Sequence, residues 1–333
     1  MKYRRKIQIV GGSTYTVSLP KEWVKSLNLR HGSEVLLEIM PDLSLKLYVG
    51  DERRLELQLE EELIVNRDIV EISSIKLIAS YVAGYDRIII TCSDCSTVDL
   101  EEFVKLAIEK TIGLEVVEKD RNIVVFQCLA NISTLSFPEV LKMITKLISK
   151  SFEDIEKFLN GDKTVEIREV LNRDNLIDKF YLYGLRQLNQ VLLGKINYTS
   201  IGLKSMAHVM YLAMMLKLLE RTADHLSDLG EDLAKFNINA PEIRRKLINY
   251  VTLLRNAYTK IINYLLFRQK LDELDSLNYL VNELKELESG VIKDLVLLER
   301  EIKVHLIRIV AYLRDLIELL IDTYELDKLI MES

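Results

Sequence analysis

The sequence predicts a multidomain α+β protein whose larger, C-terminal part is all-α, a tandem of two three-helix bundles. Three observations predict it. Short apolar runs broken by Gly and Pro fill residues 1–50. Strand and helix patterns alternate over residues 51–132. From Ser133 onward strand signals vanish and a charged helical motif recurs. The implied domains are 1–50, 51–132, 133–235 and 236–333. With 333 residues, 49% hydrophobic and 29% charged, and only 12 Gly and 4 Pro, the chain is long and apolar enough for several ordered cores.

In the first domain Lys6–Val10 reads as a strand, Gly11-Gly12-Ser13 as a turn, and Tyr15–Leu19 as an alternating strand. Pro20 opens a helix over Lys21–Leu27, since proline loses no hydrogen bond at a helix start, and Trp23 on it reads as core. His31-Gly32 and Pro41-Asp42 turn the chain around strands Glu34–Ile39 and Ser44–Val49. A segment this short buries little core alone, so a partner chain is expected to complete it. In the second domain Leu55–Leu59 alternates as a strand, Asp68–Ala83 has helical periodicity closed by Gly84, and residues 86–91 form a buried strand. Asp99–Ile112 is a helix closed by Gly113, and Leu114–Val117 with Ile123–Gln127 flank a hairpin turn. Six helices follow, at about 136–160, 163–194, 199–235, 241–269, 271–289 and 292–330, with breaks at Asn160-Gly161, Gly194, Asn237–Pro241 and Ser289-Gly290. Short connections make successive helices antiparallel neighbours. Arg221–Glu231 aligns with Arg308–Glu318, each on the third helix of its set, so the two sets read as repeats.

Charge is distributed unevenly. Residues 1–31 carry Lys2, Arg4, Arg5, Lys6, Lys21, Lys25 and Arg30 against Glu22, a local +6, which leaves −12 on the rest of a chain whose total is −6. A basic head on an acidic body confines nucleic-acid contact to the head, and Arg4, Arg5, Lys6, Lys21 and Lys25 are the candidate DNA-contacting residues. A dimer would double that basic surface. Three cysteines do not make a secreted disulfide framework. Cys92 and Cys95 have redox or metal spacing, but a single such pair reads as small residues at a strand end. The chain shows no apolar stretch of about 20 residues and no signal-type run after its basic start. A cytoplasmic protein without membrane insertion is expected.

The most informative stretch is 220–231. Glu220, Asp224, Asp228 and Glu231 fall at i, i+4, i+8 and i+11, roughly 0°, 40°, 80° and 20° around a helix. Stacked like charges cost a few tenths of a kcal/mol per pair, about the size of a helix ion pair. Either all point into solvent or a cation neutralises them. Leu219, Ala223, Leu226, Leu229 and Leu233 centre about 180° away, which places the acids on the face turned from the core. Asp174 and Asp178 form a second i, i+4 acidic pair on the neighbouring helix. Carboxylates from two helices can surround a divalent or trivalent ion that accepts oxygen ligands, such as magnesium, calcium, manganese, iron or zinc. The candidate metal ligands are thus Glu220, Asp224, Asp228, Asp174 and Asp178. The second repeat replaces Glu220 and Asp224 by Ile307 and Ala311, so the first repeat is the better metal binder. His225 reads as a flank residue rather than a ligand. The four histidines (31, 208, 225, 305) suggest no partnered arrangement, and neither a lysine-bearing phosphate loop nor a Gly-x-Ser-x-Gly elbow is present. A non-enzymatic protein is expected.

Two resemblances follow from these residues. Arg5-Lys6-Ile7, Gly11-Gly12-Ser13, Ser18-Leu19-Pro20-Lys21, Leu27-x-Leu29-x-x-Gly32 and Val35–Ile39 resemble the SpoVT/AbrB domain. There two chains interleave hairpins into one barrel, so residues 3–49 would supply a swapped-hairpin β-barrel half. Ser13-Thr14-Tyr15 stand where DNA-binding members of that family carry arginine. Residues 133–330 resemble PhoU, whose Glu-Arg-Ile-(Ala/Gly)-Asp-(His/Tyr) motif matches Glu220, Arg221, Asp224 and His225. Glu231 fits its later acid, and Asp228 stands in place of Asn. The resemblance implies that Glu220 and Asp224 ligate multinuclear metal clusters, with Asp174 and Asp178 from the companion helix. The order of parts is similar to an archaeal PhoU-type phosphate uptake regulator with an N-terminal SpoVT/AbrB-like domain. That implies a homodimer controlling phosphate homeostasis through DNA, or an adaptor acting on a phosphate-transport or signalling protein, the head serving only to dimerise it.

Overall fold

The structure, a computed structural model, describes residues 3–39, 44–49, 59–92, 99–130, 135–236, 240–267, 274–293 and 299–332. The turn expected at Pro41-Asp42, residues 55–58 of the expected strand, Cys95 and residues 237–239 lie outside them. The chain divides into two compact units, Met1–Leu57 and Gln58–Glu332.

In the first unit β1 (Gln8–Val10) pairs antiparallel with β2 (Thr14–Thr16) across Gly11 and Gly12, both at positive φ. Tight reversal over two such residues is open to glycine at little cost. After Pro20 the short helix α1 (Lys21–Ser26) leads to a second hairpin, β3 (Val35–Ile39) with β4 (Leu45–Val49), register Val35↔Val49 to Ile39↔Leu45. The two hairpins belong to separate two-stranded sheets. No described side chain of this unit is buried, and Trp23, expected in a core, is half-buried.

The second unit begins with a four-stranded sheet in the order β5-β6-β8-β7. Strand β5 (Glu60–Val65) lies parallel to β6 (Arg87–Cys92), joined by helix α2 (Val70–Ala83). Helix α3 (Leu100–Lys110) then leads to the antiparallel pair β7 (Leu114–Asp120) and β8 (Ile123–Cys128), and β8 returns beside β6. Leu63, Ile88, Ile90, Val124 and Phe126 from the strands bury against Leu77, Tyr81, Phe103 and Ala107 from the two helices. Gly84 closes α2 at φ 102°. Gly113 turns into β7 at φ 73°, and a Cβ there would meet Ala130 at 2.7 Å, so only glycine fits.

Six long helices follow: α4 (Phe137–Leu159), α5 (Arg168–Leu192), α6 (His208–Lys235), α7 (Pro241–Phe267), α8 (Leu274–Lys293) and α9 (Arg300–Glu332). A capping box opens α4, with the Ser136 N–H and hydroxyl both donating to Glu139 Oε2 at 2.7 and 2.8 Å. Helices α4, α5 and α6 pack on one another, as do α7, α8 and α9, and the sets meet along α6–α9 and α4–α7. Buried leucines 216, 219, 226 and 229 of α6, and 306, 313 and 316 of α9, line that junction and the two cores.

Two expectations change. The break expected at Ser289-Gly290 is absent: α8 runs through it to Lys293. Gly290 is there because a Cβ would come within 3.3 Å of the Tyr250 hydroxyl on α7, so the glycine marks close helix packing rather than a turn. Helix α6 starts at His208 rather than near 199, because a 3-10 turn at Tyr198–Ile201 ends on Gly202 at φ 77°.

Candidate metal centre

Helix α5 carries Asp174 and Asp178 one turn apart, and α6 carries Glu220 and Asp224 one turn apart. Packing of α5 on α6 turns the two pairs toward each other. One carboxylate oxygen from each of Asp178, Glu220 and Asp224 lies within 4.8 Å of the others. The expectation that the row faces away from the core is therefore corrected for Glu220 and Asp224, while Asp228 and Glu231 are exposed. Glu220 is only 9% exposed, and Asp224 and Asp178 are half-buried. The apolar stripe of α6 identified one buried side, but α6 packs against α4, α5 and α9, so the opposite side is covered too.

Cations reach the group without completing it. Lys110 of α3 donates to Asp178 Oδ2 at 2.8 Å, and Lys217 donates to Glu220 Oε1 at 2.7 Å while sitting 5.0 Å above the Tyr181 ring. Arg221 lies 3.4 Å from Asp224 Oδ2. Two buried oxygens, Glu220 Oε2 and Asp174 Oδ1, still accept no hydrogen bond, and the first has Arg221 Nε only at ion-pair range, 3.8 Å away. A buried carboxylate oxygen left in that state is costly unless a cation meets it. The titrations carry the same strain. Burial first, then the facing charges of Asp224, Asp178, Glu220 and Asp228, push Asp174 up to about 7. Burial, then Glu220 and Asp178, pushes Asp224 up to about 6. An all-oxygen donor set with excess negative charge and two oxygens that accept no hydrogen bond fits a hard or borderline cation such as magnesium, manganese or iron.

The fifth expected ligand, Asp228, points elsewhere. It is 57% exposed and gathers with His225 and His305 between α6 and α9. The remaining acid of the row, Glu231, pairs with Lys235 at 2.9 Å. The reading that the histidines lack partners is also corrected: His225 and His305 face each other through Nδ1 atoms 2.9 Å apart, and His208 Nε2 lies 3.0 Å from Asp327 Oδ1. His305 was detectable from the repeat alone, since the alignment that pairs 221 with 308 sets it against Leu218. A histidine in a leucine column marks a polar contact.

The DNA candidates Arg4, Arg5, Lys6, Lys21 and Lys25 are all exposed. Arg5 lies over the Tyr3 ring at 5.8 Å, and the Tyr3 hydroxyl donates to Glu22 at 2.6 Å, tying the N-terminal strand region to α1. Cys92 is buried at the end of β6. Elsewhere a mostly apolar cavity of about 460 Å³ lies among Phe137, Leu141, Leu212, Met215, Tyr264 and Tyr324, with the His208–Asp327 pair at its edge. Among the described residues, no helix is long and apolar enough to cross a membrane.

Comparison with known families gives two matches. The model of the antidote-toxin recognition MazE bacterial antitoxin matches residues 8–53, and that of the PhoU domain matches residues 141–233, which span all but the first turn of α4 to nearly the end of α6. No curated protein and no solved structure matches the chain. The acidic group between α5 and α6 lies wholly inside the second match. The chain thus joins a MazE/AbrB-type antitoxin domain at residues 8–53 to a PhoU domain at residues 141–233, in the order its N-terminal and helical motifs suggest.

Proposed function

We propose that the protein is a non-enzymatic, cytoplasmic regulator of phosphate homeostasis that works as a homodimer. Its basic N-terminal domain, residues 1–50, binds DNA, and the acidic group of its first helical repeat binds metal. The PhoU match supports the phosphate reading, and the MazE/AbrB-type match supports DNA binding or dimerisation. The observation that carries the metal assignment is the pair of buried oxygens without hydrogen bonds, Glu220 Oε2 and Asp174 Oδ1, inside a cluster of four carboxylates. Asp178, Glu220 and Asp224 would hold the ion, with Asp174 beside them. A bound cation supplies positive charge that an inorganic phosphate could in turn meet. Lys110, Lys217 and Arg221 hold the carboxylates in place and leave the cluster short of positive charge.

Dimerisation is supported by the bare N-terminal unit. Ile7, Ile9, Tyr15, Leu36 and Ile39 are 61–73% exposed, on hairpins that share no core within one chain. An isolated hairpin is marginal in water, and a second copy covering these strands would give the missing core. In that arrangement Arg4, Arg5, Lys6, Lys21 and Lys25 are doubled on one particle.

A second reading, an adaptor for a phosphate-transport or signalling protein, is favoured by one feature. Met210 and Met214 on α6 are 60% and 50% exposed, with Leu192 and Leu193 at the end of α5 at 57% and 60%. Methionine-rich surfaces suit partner docking. A gel shift across a salt series separates the readings. The regulator predicts binding whose logarithmic affinity falls linearly with log salt, with Lys6→Ala and Lys21→Ala each reducing the slope by about one phosphate contact. Absence of binding at low salt supports the adaptor.

A further inference from the structure

We infer that His225, His305 and Asp228 form a second metal site, nitrogen-rich and suited to zinc, between α6 and α9. This inference is independent of the oxygen-ligand group in that no residue serves both, although Asp228 lies one turn from Asp224 on α6 and its charge reaches Asp174. Three donor atoms, one from each residue, lie within 4.8 Å of one another. The two imidazole Nδ1 atoms are 2.9 Å apart, and His305 Nδ1 is 3.9 Å from Asp228 Oδ2. Tetrahedral zinc with bonds of about 2.0–2.1 Å sets its ligand atoms about 3.3 Å apart. The observed separations straddle that value, so small side-chain rotations suffice, and exposed Asp228 has the freedom to make one.

The surroundings orient the rings. His305 Nε2 lies 3.2 Å from Asp232 Oδ2, and the Asp232 side chain is 14% exposed. A carboxylate on that nitrogen holds the proton at Nε2 and leaves Nδ1 with its lone pair toward His225, the arrangement that raises the basicity of a metal-binding histidine. His225 is fixed by stacking on Tyr312, ring centroids 5.7 Å apart and planes 28° from parallel. Without metal, the His225 Nδ1–H donates to His305 Nδ1. Metal binding moves that proton to His225 Nε2, with no net release. A hydrogen-bonded histidine pair alone gives no reason for a third donor, Asp228, to sit with the pair of Nδ1 atoms.

Borderline zinc prefers imidazole with carboxylate, whereas magnesium and calcium take oxygen sets. The repeat shows that the fold does not require the two histidines or Asp232. Asp228 has an Asp at its equivalent, Asp315, but the equivalents of His305, His225 and Asp232 are Leu218, Tyr312 and Leu319, so the two-histidine site occurs in one of the two repeat positions. An ion here would tie the third helix of one repeat to the third helix of the other.

The test uses the full-length, metal-stripped protein titrated with zinc in competition with a chromophoric chelator, and with cobalt read by its visible absorption. Wild type should bind one zinc equivalent that His225→Gln and His305→Gln each lose. Asp232→Asn, which touches no ion, should bind that zinc 10–100-fold more weakly. The double variant Glu220→Gln/Asp224→Asn should keep it while losing manganese. The inference is overturned if wild type takes up no zinc, or if both histidine variants keep full stoichiometry. It is equally overturned if the equivalent disappears with the Glu220/Asp224 double variant instead. Should a histidine variant fail to fold, as judged by circular dichroism, the Asp232→Asn affinity and the wild-type cobalt spectrum decide, and an unchanged affinity in Asp232→Asn counts against the site.

Discussion

Removing one acid from the α5–α6 cluster should stabilise the metal-free protein and weaken the metal-bound one, and Asp224→Asn is the variant of choice. Burial and the charges of Glu220 and Asp178 hold Asp224 at about 6, against 3.8 for an ordinary aspartate. A carboxyl whose folded value is raised favours the fold fully below its unfolded value. It loses that contribution as pH rises through the folded value, here between about 4 and 6. Two units correspond to about 3 kcal/mol at 1.36 kcal/mol each. The group is half-exposed, and screening by water brings this to about 1–2 kcal/mol. Asparagine does not ionise, so the variant should gain that amount over wild type between about pH 4 and pH 8 in EDTA. For a unit of this size the gain reads as a melting temperature raised by about 2–4 °C at the higher pH. Manganese should invert the order: an ion at 100 times its Kd adds about 2.7 kcal/mol to wild type and less to the variant. A variant no more stable than wild type at pH 8 in EDTA would show that the carboxylates are already satisfied. Equal stabilisation of both proteins by manganese would remove Asp224 from the ligand set.

Two further outcomes test the scaffold. Arg186, 3% exposed, donates to the backbone carbonyls of Tyr81 and Tyr85 at 2.6 and 2.7 Å and lies 3.4 Å from Asp86 Oδ1. Arg186→Met should cost about 1–3 kcal/mol by urea unfolding, because it takes the donor from the buried Tyr85 carbonyl where α5 meets the end of α2, while the Tyr81 carbonyl keeps the Gly84 N–H and Asp86 keeps Lys195. Arg186→Lys should not restore it, since one ammonium cannot serve the planar fork. In the N-terminal unit, Leu36→Lys should convert a dimer to a monomer by light scattering, and a variant that keeps the wild-type mass would show that β3 is not covered by a second copy.

Local chemistry was readable where one residue decides one bend. Gly84, Gly113, Gly161 and Gly194 all end helices or turns at positive φ, where the sequence placed breaks. Gly290 misled because glycine has two uses, and only the Tyr250 hydroxyl on a different helix shows which one applies. Strand β5 begins with Glu60-Glu61-Glu62, a run that hides its alternation. Its inward positions, Leu63 and Val65, become recognisable only when β6 lies beside it in parallel.

The acidic row shows the same limit at the level of function. Its periodicity fixed which acids share a side of α6, but whether that side is wet depends on where α5 lies, and α5 is packed by contacts distant in sequence. Among these, Lys110 of α3 reaches Asp178 and Arg186 anchors α5 to the end of α2. The middle α+β region therefore positions one wall of the acidic cluster. A substitution at Lys110 should alter metal affinity although the residue lies outside both helices that carry the carboxylates. Lys110→Met removes a cation 2.8 Å from Asp178. The freed carboxylate should bind manganese more tightly in a titration, and weaker binding would mean that Lys110 orients Asp178 more than it competes with the ion.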